Sequence, residues 1–354
     1  MLVHICCSVD SHYFLQRIQK EYPAEKLVGF FYDPNIHPYS EYKLRLLDVE
    51  YSCKKLGIEL IEGPYDLEEW LKLVKGLENE PEKGYRCTVC FDNRLEVSVK
   101  KAIELGHDKF TTTLLISPQK SQDKLDMIGR NLSTLYDCEF IFKDYRSGNG
   151  AEKQGKEVKE HNLYRQNYCG CMFGLNAQRE EQGKLTDELI SPIGKQIQPE
   201  SIEERLVLYQ KRNELENCDI IKQRFLNYRL LNAKVLLKKE VIPSYFLCYS
   251  TLKNNKSNGR IERIINNIGY FNRDEIKIID LKYFNHLSNK NYTSVIEIVY
   301  HPLTFEEELK VRDKITYDNR YDLSTIIVLE ELYNEKLSIF SNAKTYEDVK
   351  ETMV

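Results

Sequence analysis

Six cysteines stand in three pairs: Cys6-Cys7, Cys87-x-x-Cys90 and Cys169-Gly170-Cys171. Asp10 follows the first pair by three residues. A tetrahedral zinc site takes four ligands, so six thiolates and a carboxylate exceed one such site. Iron–sulfur clusters are held by thiolates and tolerate irregular spacing. The set therefore predicts an iron–sulfur centre with room for an extra metal beside it. A closed structural zinc site is the plainer alternative.

Each pair constrains its own backbone. Adjacent residues of a strand point to opposite faces, so Cys6 and Cys7 reach one site only if the strand ends there. Spacing of three places Cys87 and Cys90 on one side of a first helical turn. The exposed N–H groups there stabilise thiolates. Gly170 lets the chain fold closely between Cys169 and Cys171. Asp10 fits three roles: metal ligand, proton donor, or N-cap of a helix starting at Ser11. Asp is a favoured cap, but its distance from Cys7 lets it face the same site, and the ligand role is the expectation carried forward.

Other residues read more blandly. His4 lies on the first strand and is expected as a core or supporting histidine. Cys53, Cys138, Cys218 and Cys248 sit alone on apolar patterns and are expected to be buried packing residues. Thr111, Thr112 and Thr113 either bond a ligand or are ordinary β-branched strand residues. Ser117-Pro118-Gln119-Lys120 follows that strand, where phosphate-contacting loops often sit. Tyr145, Arg146, Tyr164, Arg165 and Tyr168 mix rings and cations as a base-stacking site would; a solvated loop is the alternative.

These residues need a scaffold, and the pattern supplies one. Strand-like runs at Leu2–Cys6, Leu27–Tyr32, Ile58–Ile61, Lys109–Leu115 and Phe140–Lys143 alternate with helical patterns at Ser11–Tyr22, Ser40–Leu56, Asp66–Val74, Phe91–Leu105 and Ser121–Leu135. Such alternation predicts an α/β domain: a parallel sheet with helices on both faces. Residues 144–168 read as a polar loop or short exposed helix, and Met172–Glu181 as a helix. A boundary near 195 separates a catalytic domain, 1–195, from an accessory α+β domain, 196–354. There the pattern gives helices at Ser201–Glu216, Ile261–Ile268 and Phe305–Lys314. It gives strands at Ala233–Leu237, Ser244–Tyr249, Lys277–Asp280, Ser294–Tyr300, Thr325–Leu329 and Lys336–Phe340.

The chain has 354 residues and a net charge of −4. No apolar run reaches the ~20 residues of a membrane-spanning helix. The first residues read as a strand and not as a signal peptide. Ten cysteines without such a signal point to metal or redox chemistry in a reducing cytoplasm. Residues 205–263 carry 13 Lys+Arg against 5 Asp+Glu, a basic island that suits a phosphate backbone.

Taken together, His4-x-Cys6-Cys7, Tyr85-Arg86-Cys87-x-x-Cys90-Phe91-x-x-Arg94-Leu95, Phe110-Thr111-Thr112-Thr113-Leu114-Leu115-x-Ser117-Pro118 and Tyr168-Cys169-Gly170-Cys171 resemble the QueH epoxyqueuosine reductases over residues 1 to about 180. The resemblance implies a Rossmann-like domain, and removal of the epoxide oxygen from epoxyqueuosine at the tRNA wobble position. It implies a [4Fe-4S] cluster with an adjacent iron or other metal ion, and no cobalamin. Its partners would be the tRNA anticodon loop and an electron donor, with no membrane. Cys6, Cys7, Cys87, Cys90, Cys169 and Cys171 would hold the metals, with Asp10 as a further ligand, and Asp10 or Tyr168 would give protons. This chain departs from many members at Val9, where they have proline, and at Asp10, where a third cysteine can occur. An iron–sulfur tRNA sulfurtransferase is one alternative, but Cys6-Cys7-Ser8-Val9-Asp10-Ser11 lacks the glycines of an ATP-binding loop. A zinc-stabilised RNA-binding module is the other.

Overall fold

The computed structural model describes residues 1–118, 120–215, 218–316 and 322–354, with the backbone alone at residue 193. Gln119 of the expected phosphate loop and Glu216 of the expected helix lie outside these residues. The chain divides into two units. The first holds Met1–Leu189, Arg205–Ile220 and Met353–Val354; the second holds Ile190–Glu204 and Ile221–Thr352. The chain thus leaves the first unit after Leu189 and returns to it for residues 205–220 and 353–354.

The first unit is built on β1 (Leu2–Ile5), α1 (Ser8–Glu21), β2 (Val28–Phe31), α2 (Tyr39–Leu56), β3 (Glu59–Glu62), α3 (Leu67–Leu73), α4 (Tyr85–Glu104), β4 (Lys109–Thr112), α5 (Gln122–Tyr136), β5 (Glu139–Phe140), α6 (Gly150–Glu160) and α7 (Met172–Glu181). The strands form one sheet in the order β3-β2-β1-β4-β5, and every pair is parallel. β1 and β2 are buried along their whole length, as the continuous apolar runs of a two-sided parallel sheet require. β3 lies at an edge and carries Glu59 and Glu62 at its exposed ends, which blunts that edge against further pairing. From β1 the chain builds outward through β2 and β3. It then crosses back to lay β4 on the other side of β1. That reversal opens a crevice at the carboxyl ends of β1 and β4, the usual ligand position of such sheets.

Several expected boundaries move. α1 starts at Ser8, with Cys7 as its N-cap, so Asp10 sits in the first turn and is not the cap. α2 starts at Tyr39, one residue before the expected Ser40, with Pro38 as its N-cap, and is followed by Gly57 with φ 65°. α4 starts at Tyr85, so Cys87 and Cys90 lie inside the helix. β4 stops at Thr112, and residues 113–115 turn into a short 3₁₀ segment.

α8 (Ile202–Glu214) delivers Arg212 to the first unit. Its Nη1 donates to Asp48 Oδ1 at 2.6 Å, and its guanidinium lies 3.8 Å from the Tyr51 ring centroid. Asp48 also accepts from Ser8 Oγ and from the Tyr164 backbone N–H at 2.9 Å. Asp48 is fully buried and Arg212 is 2% exposed.

The second unit contains two sheets. One has the order β10-β11-β12-β13-β8, formed by Ile261–Ile265, Ile268–Phe271, Ile276–Asp280, Thr325–Leu329 and Tyr245–Phe246. The other has the order β7-β6-β14-β9, formed by Glu240–Ile242, Ile220–Leu237, Leu337–Met353 and Lys256–Gly259. Helices α9 (Leu281–Ser288), α10 (Val295–Tyr300) and α11 (Phe305–Ile315) complete it. Two expectations reverse here. Ile261–Ile268 is a hairpin, not a helix: Asn266 and Asn267 adopt φ 51° and 65° between β10 and β11, the turn that Asn supplies to hairpins. Residues 294–300 are helical, not extended: Ser294 caps α10 by accepting from the Glu297 N–H, and Val295 and Ile298 share the buried face.

The Asp48 cluster gives a stability prediction. Asp48→Ala leaves the Arg212 guanidinium buried without its counter-charge, which costs about 3–5 kcal/mol. Urea unfolding should show a matching fall in the midpoint. Asp48→Ala combined with Arg212→Met should cost less than the two single changes summed. Additive effects would show that the pair is not coupled.

Candidate active site

The first cysteine pair lies where the sheet order reverses. β1 pairs with β4 through His4 and Thr112, so the residues after each strand end side by side. The Cys6 N–H donates to Thr113 Oγ1 at 3.3 Å, fixing the turn out of β1. Cys6 Sγ then stands 3.7 Å from Cys7 Sγ and 3.7 Å from Asp10 Oδ2. The ligand atoms of Cys6, Cys7 and Asp10 all lie within 4.8 Å of one another, and all three residues are buried. Gln166 Nε2 donates to Cys7 Sγ at 3.0 Å. Gln154 Nε2 donates to Asp10 Oδ1 and to the Val9 carbonyl, each at 3.0 Å. Interaction with the Cys6 thiol and then burial push the Cys7 pKa up, and burial pushes Asp10 up. An ion of opposite charge would relieve both, so this donor set fits a bound metal.

The other four cysteines form a second group. Cys90 and Cys171 pack against Trp70 and Val74, with Cys169 and Phe173 beside them. Cys87, Cys90 and Cys169 feel one another electrostatically, as do Cys169, Cys90 and Cys171. Burial raises Cys87 and Cys90, and it pushes Cys171 to about 12. Cys171 is the N-cap of α7, and Cys87 Sγ accepts the Lys83 N–H at 3.3 Å. Four thiols converging from two helix starts, with the Trp70 indole against Cys90, suit a thiolate-held cluster.

The segment from 164 to 171 is held by α2. Arg45 Nη2 donates to the Tyr168 carbonyl at 2.9 Å and Nη1 to the Cys169 carbonyl at 3.2 Å, while Nε pairs with Glu41 at 2.7 Å. Tyr164 OH donates to the second Glu41 oxygen at 2.9 Å. The His37 N–H donates to the Gly170 carbonyl at 2.9 Å. Gly170 has φ +103°, and a Cβ there would come within 2.7 Å of Ile36 Cγ1. The glycine between the cysteines is thus fixed by both conformation and space. On the other side, Arg86 Nη1 holds three carbonyls, of Leu77, Glu78 and Glu80, at 2.7–3.1 Å.

Three cations face the thiols. Burial opposes the charge of Arg94, but Asp33, Cys90 and Cys6 outweigh it and raise its pKa; Arg94 pairs with buried Asp33. Burial likewise opposes Lys120, whose pKa is raised by Cys169, Glu82 and Cys87. Arg45 responds in the same direction, to Glu41, Tyr168, Tyr164 and Cys7.

His4 is the supporting residue its strand position suggested. Burial, then Arg94, holds its pKa well below the usual value. As a neutral ring it donates from Nε2 to the Tyr32 carbonyl at 3.1 Å and accepts at Nδ1 from Thr112 Oγ1 at 2.8 Å. Thr112 Oγ1 in turn accepts the Leu114 N–H at 3.1 Å, and Thr111 donates to the Ile141 carbonyl at 2.7 Å. Of the three threonines, only Thr113 reaches a cysteine. Tyr168 donates its hydroxyl proton to the His37 carbonyl at 2.7 Å, and burial raises its pKa. Tyr145, Tyr164 and Tyr168 are buried, so they are not a base-stacking surface. Cys53, Cys138 and Cys248 are buried as expected, whereas Cys218 is only half-buried. Gln154, Gln166, Arg45 and Asp48 escaped the sequence reading. They are long-range partners, and no local spacing marks them.

A small hollow beside Cys87 is lined by Lys83, Cys87, Phe91, Lys120, Ser121 and Lys124. Tyr85, two residues from Cys87, is 62% exposed.

Comparison with known proteins follows the same residues. The family model for epoxyqueuosine reductase QueH matches residues 1–177. A QueH of Helicobacter pylori is 41% identical over 369 residues, spanning 98% of this chain and 99% of that protein. A QueH of Thermotoga maritima is 37% identical over 190 residues, which is 95% of its length but 52% of this chain. A solved U34-tRNA thiolase, NcsA from Methanococcus maripaludis with its [4Fe-4S] cluster, aligns at 14% identity and a TM-score of 0.32 over 61% of this chain and 73% of its own, a likeness too low to bear on function. Over both its first half and its full length, this chain belongs to the epoxyqueuosine reductase QueH family.

Proposed function

We infer that this chain reduces the epoxide of epoxyqueuosine at the wobble position of tRNA, giving queuosine. The reaction takes two electrons and two protons, opens the ring to an alkene and releases water. The observation that carries this reading, in a chain of this family, is the convergence of Cys6, Cys7 and Asp10 at the switch point of the sheet. Cys87, Cys90, Cys169 and Cys171 would hold a [4Fe-4S] cluster, and Cys6, Cys7 and Asp10 a single iron or similar ion. Bound there, the cluster supplies electrons one at a time and the ion supplies Lewis acidity.

The residues around these groups have separate tasks. Gln154 fixes the Asp10 carboxylate through Oδ1 and leaves Oδ2 toward Cys6. Held by an ion, Asp10 would be an anion, so this reading keeps it as a ligand, with proton donation as its alternative role. Tyr168, with its proton committed to His37, serves to position the loop. Arg94, Arg45 and Lys120 offset the negative charge of the thiolates. An external electron donor completes the balance, and the free thiols suit the reducing cytoplasm. Among the described residues no helix is long and apolar enough to cross a membrane.

The anticodon is read as approaching the surface beside Cys87. Lys83, Lys120 and Lys124 suit its phosphates, and exposed Tyr85 suits a splayed base. The basic island supports tRNA docking less than its composition suggested. Lys238 pairs with Glu335 at 3.3 Å, Lys222 with Glu351 at 3.1 Å, and Arg224 with Glu347. β6 and β14 are neighbours in one sheet, which brings the acidic C-terminal segment against the basic one.

Replacing any of Cys6, Cys7, Cys87, Cys90, Cys169 or Cys171 by Ala should lower tRNA epoxyqueuosine reduction by more than about 100-fold, beyond the loss typical of outer-shell groups. Cys53→Ala, Cys138→Ala and Cys248→Ala should keep it. Anaerobic protein should be brown; colourless, zinc-loaded active protein would sink the cluster assignment. Asp10→Asn should retain the fold and most cluster absorbance but lose turnover, whereas normal turnover would remove Asp10 from the chemistry. Finally, Tyr85→Ala should weaken tRNA binding by about 1–3 kcal/mol, the worth of one stacked base. The double reversal Lys83→Glu with Lys124→Glu should flatten its salt dependence. If the double reversal at Lys238 and Lys239 has the larger effect, the docking face is the second unit.

A further inference from the structure

A second group of ligand atoms lies apart from the cysteines. His12 of α1 faces Glu157 of α6 and His161, the residue that follows α6. Their ligand atoms all lie within 4.8 Å of one another. His161 Nε2 is 3.4 Å from Glu157 Oε2, and His12 Nε2 is 3.9 Å from the same oxygen. Two atoms bound to one tetrahedral zinc stand roughly 3.3–3.5 Å apart, so the trio is almost closed on an ion. Glu157 and His161 are four residues apart, which puts them one above the other on a single helical face.

The decisive atom is His12 Nε2. His12 is 1% exposed, and this nitrogen has no hydrogen-bond partner. Its other nitrogen, Nδ1, lies 2.8 Å from Ser52 Oγ, which is fully buried. Donation from Nδ1 to Ser52 leaves the Nε2 lone pair aimed at Glu157 and His161. A fixed second nitrogen is the usual support of a metal-bound imidazole. Gln16 Nε2 donates to Glu157 Oε2 at 3.0 Å and restrains the carboxylate. Glu157 and His161 are 24% and 28% exposed, which leaves the fourth position to water.

We propose that His12, Glu157 and His161 bind one divalent transition-metal ion of the zinc class, at a site separate from the cysteine centre. A single carboxylate, with Lys55 close enough to act on His12, gives little net negative charge. The affinity must therefore come from imidazole coordination, which favours Zn²⁺ over Mg²⁺ or Ca²⁺. The ion fastens α6 to α1. Gln154, three residues before Glu157, makes the bonds to Asp10 and Val9, so the fastening also sets the register of the active-site carboxylate.

The test is zinc binding by the full chain carrying its cluster, measured by competition with a chelating dye. Wild type should bind one Zn²⁺ that His161→Ala and Glu157→Gln bind at least about 100-fold more weakly, a larger loss than outer-shell changes give. Both positions are partly exposed, and circular dichroism checks their fold. Ser52→Ala should keep the stoichiometry with affinity lowered about 10–100-fold. Zn²⁺ should raise the melting temperature of wild type and not of His161→Ala. The Cys6→Ser/Cys7→Ser variant should retain this ion. Equal zinc affinity and stoichiometry in wild type, His161→Ala and Glu157→Gln would overturn the proposal, as would loss of all bound zinc in the cysteine variant.

Discussion

Negative charge gathered in a buried place is the constraint on which this structure depends. Cys6, Cys7 and Asp10 converge after β1, the other four paired cysteines form a second group, and as ligands most of these would be anions. Water cannot screen them there, so the protein must. Arg94, Arg45 and Lys120 supply fixed positive charge, and the starts of α1, α4 and α7 add their N–H dipoles. Burial alone raises the pKa of Cys87 and Cys90 and so favours the neutral thiol. Metal binding reverses that preference by taking the thiolate. Fold and cofactor would therefore be coupled under the proposed reading: the site is tolerable as a set of thiols and would become a set of ligands.

The cations are themselves buried and need partners, which spreads the constraint outward. Arg94 takes Asp33, whose pKa burial pushes up to about 7 despite the pair. Arg45 takes Glu41, and Glu41 also accepts from Tyr164. One turn and more along the same helix, Asp48 holds Ser8, the Tyr164 backbone and Arg212. α2 thus carries a row of buried polar groups that connects the start of α1, the 164–171 segment and α8. Satisfied buried polar networks rigidify the elements that carry them, and α2 holds the segment that bears Cys169 and Cys171.

The second unit obeys a different logic. Its basic stretch is answered by acidic residues from the C-terminal strand, so charge there serves sheet pairing as well as any partner. The relative from H. pylori shares nearly this whole chain, whereas that from T. maritima is almost fully matched by about half of it. The family model covers the part that both share.

The sequence by itself determined the α/β alternation, the six paired cysteines and their family, because these are local signals: period, pairing and spacing. It fixed Gly170 by chemistry, and the structure adds the Ile36 contact that leaves no room for a Cβ. It left Asp10 between cap and ligand; only the start of α1 at Ser8 moved it off the cap and beside Cys6. It misread Ile261–Ile268 and Ser294–Tyr300 because β-branched runs carry no reliable period, and a turn at Asn266-Asn267 or a cap at Ser294 decides the outcome. It could not show that Gln154, Gln166 and Arg45 serve the site, nor that Arg212 belongs with Asp48. Those partners are 123 to 164 residues distant. Long-range polar pairing leaves no trace in local pattern, and so the tertiary structure alone decided which side chains hold the cysteines in place.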